Sequence, residues 1–434
     1  MKKIVFFVQT RKPIGGSQVL FLDFASYISN NYPEYEVYYI NFRNPKVEQL
    51  YGNSNIKFYD VLSCDYSQFE DAVFFTPVNY VLYLAEKTKN LKNAKVLYYF
   101  YHPQIVEWLN MQIYKKKPDF KTFFELLSSH NACCFMDSSN LISAKKIGVD
   151  FSETYVPVTL HGDIPAYEPK KIVSNEEINV GWLGRLDHDK IHSVINLADN
   201  LAGLDSPKKI NIHLVGDGNA KHLIKLSKYS PQIRFVFTSY LYGEERDEYL
   251  KTNADFVVSM GISAIDTALL GIPTLVPLVS GEPFREDSFY YLFNTTGYSL
   301  GWNAFDAEAM NCKAHTIEQV VSDIYEKNLK QELGEKCRNF AISEFSLENG
   351  TKLLLEALEK TTLTVKECNS SFLVASMMRF YRLYRSYRKN CDFERFHEFN
   401  ARLKRLNLTK GIINKSKRLF KELNRTFIRK EAKK

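Results

Sequence analysis

Apolar residues recur in short runs along the first 160 residues, and stretches with helical spacing separate these runs. The runs are rich in Val, Ile, Phe and Tyr, which favour strands, and the first helical stretch covers residues 17–28. Strands that alternate with helices predict βαβ units on a parallel sheet. The predicted strands cover residues 4–9, 37–42, 56–59, 72–75, 96–101 and 132–136.

A polar, proline-containing stretch interrupts this alternation, which then restarts and predicts a second unit of the same kind. Its predicted strands cover residues 178–183, 210–215, 233–238, 256–260 and 274–278, with helices over 191–201 and 316–327. The fold class is therefore α/β, with two Rossmann-like, doubly wound domains that face each other across a cleft. The predicted segments are a first domain (1–162), a linker (163–177), a second domain (178–345), a helix that returns to the first domain (346–370) and a basic helical tail (371–434).

Charge separates the tail from the rest of the chain. The net charge is +7, but residues 371–434 hold 19 lysines and arginines against 5 acidic residues, so the remainder is net negative. Arginines alternate with tyrosines at helical spacing over residues 379–388. This pattern favours an anionic membrane surface, where arginine stems snorkel. A protein partner remains an alternative; nucleic acid is the less favoured partner because no nucleic-acid module accompanies the tail.

Length and composition narrow the class of protein. The 434 residues, 45% of them hydrophobic, can bury more than one core. The apolar run at residues 4–8 is shorter than a signal peptide requires, and charges and prolines interrupt the apolar stretch 254–279, so we expect neither secretion nor a membrane span. The seven cysteines show no metal-ligand spacing, so we expect reduced thiols in the cytoplasm and no metal.

The clearest motif is residues 181–190, Gly-Trp-Leu-Gly-Arg-Leu-Asp-His-Asp-Lys, at the end of the first strand of the second domain. It resembles the start of the second domain in retaining GT-B glycosyltransferases of family 4. This resemblance implies a metal-independent enzyme without a cofactor, which takes a sugar from a nucleotide diphosphate donor with retention of configuration. It also implies that Arg185 and Lys190, following Gly184, grip the donor diphosphate and oppose its growing negative charge. Surface charges around a helix start are the alternative.

The two aspartates within this motif allow a second interpretation. Asp187 and Asp189 match the D-x-D spacing of metal-binding carboxylates, and Mg²⁺ favours carboxylates together with phosphates. Their position at a predicted helix start favours instead helix capping and interaction with the helix dipole.

Residues 259–273 predict a strand, a glycine turn, a helix and a Gly-x-Pro step into the next strand. They resemble the donor-site helix of the same family, in which the second of two glutamates binds the ribose hydroxyls. Asp266 matches that second glutamate, whereas Val258 falls at the position of the first, which leaves the donor sugar undetermined. Backbone N–H groups at Gly261, Ile262 and Ser263 are expected to face phosphate. The alternative is a buried helix in which Asp266 only forms hydrogen bonds within the protein.

Two elements of the first domain match the resemblance more weakly. Gly15 and Gly16 follow the first strand, where a glycine loop lets the backbone approach the donor or the acceptor. His102 closes a predicted strand at the cleft edge, and the resemblance places it near the transferred sugar. A plain turn and a structural histidine are the alternatives.

The second domain offers three further donor contacts on weaker grounds. Gly216 belongs to a Gly-Asp-Gly turn at a strand end, and Tyr240 and Leu241 fall where the family meets the nucleobase. Such turns are common in Rossmann-like domains.

Two classes of function remain open. The first is a glycosyltransferase whose acceptor is a lipid-linked or envelope polysaccharide precursor at the inner face of the cell membrane, or else a protein or soluble saccharide. The second is a catalytically silent subunit that binds a partner, which the valine at position 258 makes conceivable.

Overall fold

The computed structural model describes residues 1–8, 16–42, 44–103, 105, 117–160, 164–167, 171–229, 231–371 and 374. Gly15 and most of the predicted membrane-binding tail (372–373 and 375–434) lie outside these residues. Within the described residues, no helix has the length and hydropathy needed to cross a membrane.

The first lobe is built on one parallel sheet of six strands. These are β1 (Lys2–Phe7), β2 (Tyr35–Asn41), β3 (Lys57–Asp60), β4 (Ala72–Pro77), β5 (Lys95–Phe100) and β6 (Cys133–Phe135). Their order in the sheet is β3-β2-β1-β4-β5-β6. Helices cover both faces, so the strands are near-continuous apolar runs rather than alternating ones.

The second lobe repeats this arrangement. Its strands are β7 (Glu177–Leu183), β8 (Lys209–Val215), β9 (Ile233–Thr238), β10 (Phe256–Ser259), β11 (Thr274–Val276), β12 (Leu278–Val279), β13 (Tyr290–Tyr291) and β14 (Trp302–Asn303). The main sheet has the order β13-β11-β10-β7-β8-β9, in which only β13 is antiparallel. Strands β12 and β14 form a separate parallel pair.

Twelve α-helices connect and cover these sheets in the described residues. They are α1 (Gly16–Asn31), α2 (Pro45–Tyr51), α3 (Val81–Lys87), α4 (Lys117–Ser129), α5 (Ser138–Lys145), α6 (Ile191–Ala202), α7 (Gly243–Asn253), α8 (Ile262–Leu269), α9 (Ile317–Val321), α10 (Lys330–Phe345), α11 (Leu347–Lys360) and α12 (Val365–Ser370).

Aromatic side chains hold the core of the first lobe. The Phe6 ring on β1 meets Phe21 of α1 and Phe75 of β4 edge-on, with centroids 6.3 and 5.7 Å apart. Phe21 in turn stacks on Phe75 at 4.8 Å. Complete burial of each such ring contributes about 1.5–3 kcal/mol, so this cluster fixes where β1 ends and α1 begins.

The end of the described chain returns to the first lobe. Helix α11 packs along α1, and a Cβ at Gly350 would lie 2.5 Å from the methyl of Thr159 and 3.1 Å from the Phe24 ring. Lys2 and Glu359 form an ion pair at 2.7 Å beside this contact. Residues 347–371 therefore belong to the first lobe in space although they follow the second in sequence.

The lobes also meet directly. The Ser138 N–H donates to the Gly297 carbonyl at 2.8 Å, and the hydroxyls of Ser138 and Ser299 lie 2.8 Å apart. Asp137 caps α5 here by accepting from the Asn140 N–H at 2.8 Å. The start of α5 is thereby fixed against the second lobe.

Two predicted elements are divided in the structure. The strand expected over 274–278 ends at Val276 and restarts at Leu278, because Pro277 has no N–H for the ladder. The helix expected over 316–327 is an α-helix only to Val321 and continues as a π-helical turn over Ser322–Glu326.

Candidate active site

The strand order of each sheet creates a crevice at the ends of two neighbouring strands. In the first lobe β1 lies between β2 and β4, and in the second lobe β7 lies between β8 and β10, so the connections leave on opposite faces. Ligands of open α/β sheets bind at such points, outside the carboxyl ends of the strands. Leu183 pairs with Ser259, so the loops that follow β7 and β10 begin side by side.

The loop after β7 is held by backbone packing. Gly216, with φ of +135°, lies so close that a Cβ there would overlap the carbonyl oxygen of Gly184. A Cβ at Gly218 would overlap the backbone of Leu186, whose N–H donates to the Asp217 carbonyl at 3.0 Å. The Gly-Asp-Gly turn thus supports the loop that carries Arg185, and only glycine allows this approach.

Arg185 projects from this loop and is held by two carboxylates. Its Nη1 donates to Asp187 Oδ2 at 2.7 Å, and its Nη2 lies 3.6 Å from Asp189 Oδ2. The other Asp187 oxygen accepts from the Asn219 N–H at 3.2 Å. The guanidinium remains more than half exposed (58%), so it is both oriented and open to a ligand.

Lys190 is the second cation of the motif and lies just before α6. Its side chain is half-buried, and no other described residue forms a hydrogen bond or ion pair with its ammonium group. Burial lowers the pKa of Lys190, the nearby Arg185 cation lowers it further, and the charges of Asp189 and Asp187 oppose this. Of these two neighbouring cations, only Arg185 forms an ion pair with a carboxylate of the described residues.

The loop after β10 places a helix N-terminus opposite the first lobe. Gly261, with φ of +62°, precedes α8, and a Cβ on it would meet open space. Its own N–H donates to the Leu300 carbonyl at 2.8 Å. The exposed side chain of Ile262 approaches Gly16 at the start of α1, where a Cβ would lie 3.9 Å from Ile262 Cδ1. Ser263, in the same turn, is half-buried.

His102 lies on the other side of the gap, directly after β5. Burial lowers the pKa of its imidazole, and the negative charge of Asp189 acts in the opposite direction. Since His102 belongs to the first lobe and Asp189 to the second, this interaction crosses the gap. The structure thus brings His102 toward the loop that carries Arg185 and Lys190.

Asp266, on α8, is paired with helix α7. Its Oδ2 accepts from Arg246 Nη1 at 2.8 Å, and Arg246 also pairs with Asp247 at 2.7 Å. Val258 is completely buried in β10, where it pairs with Trp182 and Leu275. The position that matches the family's first glutamate therefore lies in the core of the sheet. A side chain at position 258 cannot touch a ligand there.

The predicted nucleobase contacts lie beyond β9. The hydroxyl of Tyr240 donates to the Asp217 carbonyl at 2.8 Å, which connects this residue to the Gly-Asp-Gly turn. Its ring stacks on that of Tyr242 with centroids 6.2 Å apart, and both are exposed, at 47% and 74%. Leu241 instead packs against a small apolar cluster that includes Leu183 and Val215.

The capping role expected for Asp187 and Asp189 is wrong. The residue that caps α6 is Lys190, without a side-chain hydrogen bond, and both aspartates are directed to Arg185 instead. Sequence analysis also missed Asn219, which anchors Asp187 through its backbone, and Arg246, which holds Asp266. Backbone donors and long-range ion pairs leave no local pattern in a sequence, so neither could be found there.

The fold that these observations define is GT-B, two Rossmann-like domains on either side of a cleft. No protein-family model and no curated protein sequence matches the chain. Among solved structures, it resembles the apo form of the lipopolysaccharide outer core galactosyltransferase WaaB, with a TM-score of 0.52 and 14% identity over 82% of this chain and 99% of that one. It resembles equally a glycosyltransferase from Rickettsia africae ESF-5, with a TM-score of 0.52 and 14% identity over 83% and 98%.

Proposed function

We propose that this protein is a glycosyltransferase that moves a sugar from a nucleotide diphosphate sugar to a saccharide acceptor. The observation that carries the proposal is Lys190, a half-buried ammonium group next to Arg185 that forms no hydrogen bond or ion pair with any described residue. A partly desolvated cation without a partner is unfavourable unless a ligand supplies the anion. The donor diphosphate has the charge and the size to contact both cations.

The surroundings of these cations support three further proposed donor contacts. The first N–H groups of α8, at Ile262 and Ser263, suit a phosphate oxygen because a helix N-terminus favours negative charge. The exposed Tyr240 ring is a stacking surface for a nucleobase, about 1–3 kcal/mol by analogy with base stacking in nucleic-acid complexes. Asp266 pairs with Arg246, so we propose that its carboxylate is shared between Arg246 and the ribose hydroxyls.

The chemistry follows from the resemblance to retaining enzymes of family 4. The bond between the anomeric carbon and the diphosphate oxygen breaks, and the acceptor oxygen attaches on the same face of the sugar. The departing phosphate oxygen takes the acceptor proton, and Arg185 and Lys190 stabilise the charge that the diphosphate gains, the task of a metal ion in other enzymes. His102, with its lowered pKa, is neutral near pH 7 and suited to hydrogen-bond the sugar.

The basic tail guides the choice of acceptor. The excess of lysine and arginine over residues 371–434 favours binding to anionic lipid headgroups. Each lysine or arginine near the membrane surface contributes about 1 kcal/mol to that binding. We therefore propose a lipid-linked or envelope polysaccharide precursor as acceptor and a peripheral position at the inner face of the cell membrane.

Nucleotide binding provides the first test. Thermal-shift assays and calorimetry with UDP, GDP, ADP and dTDP should reveal one preferred nucleoside diphosphate, because a ligand that binds only the folded state raises the unfolding temperature. Arg185→Met should abolish this shift. Lys228→Met removes a positive charge from a surface pair with Asp199 and is the matched control, which should bind as the wild type does. Wild-type protein that binds none of the four would contradict the proposal.

A catalytically silent GT-B subunit is the second candidate, because the position that matches the family's first glutamate is the buried Val258. Such a subunit lacks a carboxylate at that position and would bind the nucleotide without transferring the sugar. Incubation with the preferred sugar nucleotide separates the two: an enzyme releases free nucleoside diphosphate, at least slowly by hydrolysis, in a manner that Arg185→Met removes.

Liposome flotation tests the tail in the full-length chain. Replacing Arg379, Arg382, Arg385 and Arg388 by glutamine should reduce flotation with vesicles that contain phosphatidylglycerol, and leave nucleotide binding unchanged. Equal flotation of both proteins would overturn the membrane assignment.

A further inference from the structure

The two aspartates that contact Arg185 differ in how firmly each is held. Asp187 lies 2.7 Å from the guanidinium, and its second oxygen accepts from the Asn219 N–H. Its side chain is only 26% exposed. An N–H that holds the carboxylate from behind keeps it in place when the solvent or a ligand competes for the arginine.

Asp189 is held far less firmly. Its carboxylate is 58% exposed and lies 3.6 Å from the Arg185 Nη2, too far for a strong hydrogen bond. In the part of the chain that the structure describes, no hydrogen bond and no other ion pair involves this carboxylate. Exposed ion pairs of this kind contribute at most about 1 kcal/mol, so the side chain can turn away at little cost.

Asp189 nevertheless lies close to both cations of the crevice. Its charge acts on three neighbouring groups: it pairs with Arg185, and it opposes the lowering of the pKa of both Lys190 and His102. An incoming diphosphate seeks the same region, and it would meet a negative charge there. The two anions cannot both take the closest position without repulsion.

We propose that Asp189 is an internal counter-anion that the donor diphosphate displaces from Arg185, whereas Asp187 stays bound and positions the guanidinium. This inference rests on the proposed function. It assigns opposite effects to two aspartates two positions apart that contact one arginine. Asp189 masks the cations while the site is empty and weakens binding, and Asp187 orients Arg185 and strengthens it.

Isosteric variants separate these roles because each removes one negative charge and keeps the shape. Asp189→Asn should bind nucleoside diphosphate about three- to tenfold more tightly, since a competing anion is gone. Asp187→Asn should bind it about tenfold more weakly, since the guanidinium loses its fixed partner. Asp199→Asn, in a surface pair with Lys228, makes the same change in net charge and should leave the affinity unchanged. Asp189→Glu keeps the charge and should lack the gain in affinity expected of Asp189→Asn.

The measurement is calorimetry on the full-length protein with inorganic pyrophosphate and with UDP, GDP and ADP, at low ionic strength. Tighter binding by Asp189→Asn together with weaker binding by Asp187→Asn supports the proposal. Equal effects of the two variants, or weaker binding by Asp189→Asn, would overturn it. The pyrophosphate titration distinguishes the two hypotheses. Pyrophosphate that binds, with the expected order of variants, while no nucleotide binds supports the counter-anion and contradicts only the proposed donor. A wild type and an Asp189→Asn variant that both bind neither ligand contradict both.

Discussion

Two lysines of the second lobe lie at opposite ends of the same sheet and show how similar residues take different roles. Lys330 is 2% exposed and donates to Asp255 and to the Lys171 carbonyl at 2.8 Å each, and to the Ala254 carbonyl at 3.2 Å. Lys190 is half-buried, and its ammonium group forms neither a hydrogen bond nor an ion pair with any described residue.

The two lysines differ in the partners of their ammonium groups. Asp255 also accepts from the Tyr325 hydroxyl at 2.6 Å and from the Val173 N–H at 2.7 Å, so this end of the sheet is a closed polar network that fastens the linker. All charges of that network are paired within the protein. In the crevice at the other end, the Lys190 ammonium group has no ion pair among the described residues, so a ligand can supply the anion. Removing one member of a fully paired buried charge is therefore expected to destabilise the fold, whereas removing a partly buried cation without an ion pair is expected to affect ligand binding.

The largest effect is expected at the closed network. Lys330→Met leaves the completely buried Asp255 carboxylate without its cation, which should reduce the free energy of unfolding by about 3–5 kcal/mol. Urea denaturation measures this, and the double variant with Asp255→Asn should recover part of the loss. A loss below about 1 kcal/mol would mean that the network does not depend on the ion pair.

Gly216→Ala should come next, because it forces apart the two loops that support Arg185. Backbone strain at φ of +135° and overlap with the Gly184 carbonyl together predict a loss of about 2–4 kcal/mol in unfolding free energy. In Gly261→Ala the new Cβ would lie in open space, and the only cost is backbone strain at φ of +62°. This variant should therefore lose less unfolding free energy. An equal loss for both would show that overlap contributes little.

Lys190→Met tests the open end of the sheet. The free energy of unfolding should change by no more than about 0.5 kcal/mol, because no protein partner loses a contact. The affinity for the preferred nucleoside diphosphate should fall about 10- to 100-fold, as expected when one charge-assisted contact is lost. Destabilisation comparable to that of Lys330→Met would remove the contrast between the two lysines.

The smallest effect is expected at His213, whose Nδ1 lies 2.9 Å from the Tyr249 hydroxyl. Burial lowers the pKa of His213 and the Arg234 charge lowers it further, so the unfolded chain binds the proton more readily than the folded one. Stability should fall as the pH decreases below about 6.5, the usual histidine pKa. His213→Gln should make this fall less steep in denaturation measured at pH 7 and pH 5. An identical slope would show that His213 does not titrate differently on folding.

The sequence predicted most of both sheets because their strands are buried on both faces and therefore read as apolar runs. The predicted strand 233–238 has the observed bounds of β9, and the predicted ends of β7 and β8 coincide with the observed ends at Leu183 and Val215. Helices with little apolar periodicity, such as α7 and α10, were not predicted, because a mostly polar surface gives no clear helical pattern.

The site was predictable only where residues next to one another in the sequence carry it. The loop with Gly184, Arg185 and Lys190 is contiguous, and a strand that ends in glycine and basic residues before a helix indicates an anion site. The partners of those residues come from elsewhere. Asn219 holds Asp187 and Arg246 holds Asp266 across 32 and 20 positions of the chain.

The sequence by itself determined two α/β units, the approximate positions of most of their strands and the loop that carries the two cations. Only the tertiary structure decided which charges are balanced. It placed Lys330 in a hydrogen-bonded network with Asp255, and it directed Asp189 to Arg185 and toward His102. It left the Lys190 ammonium group without a hydrogen bond or ion pair to any described residue. The physical reason is that strand formation depends on the local apolar pattern, whereas the electrostatic state of a side chain depends on the charges and burial that distant segments bring to it.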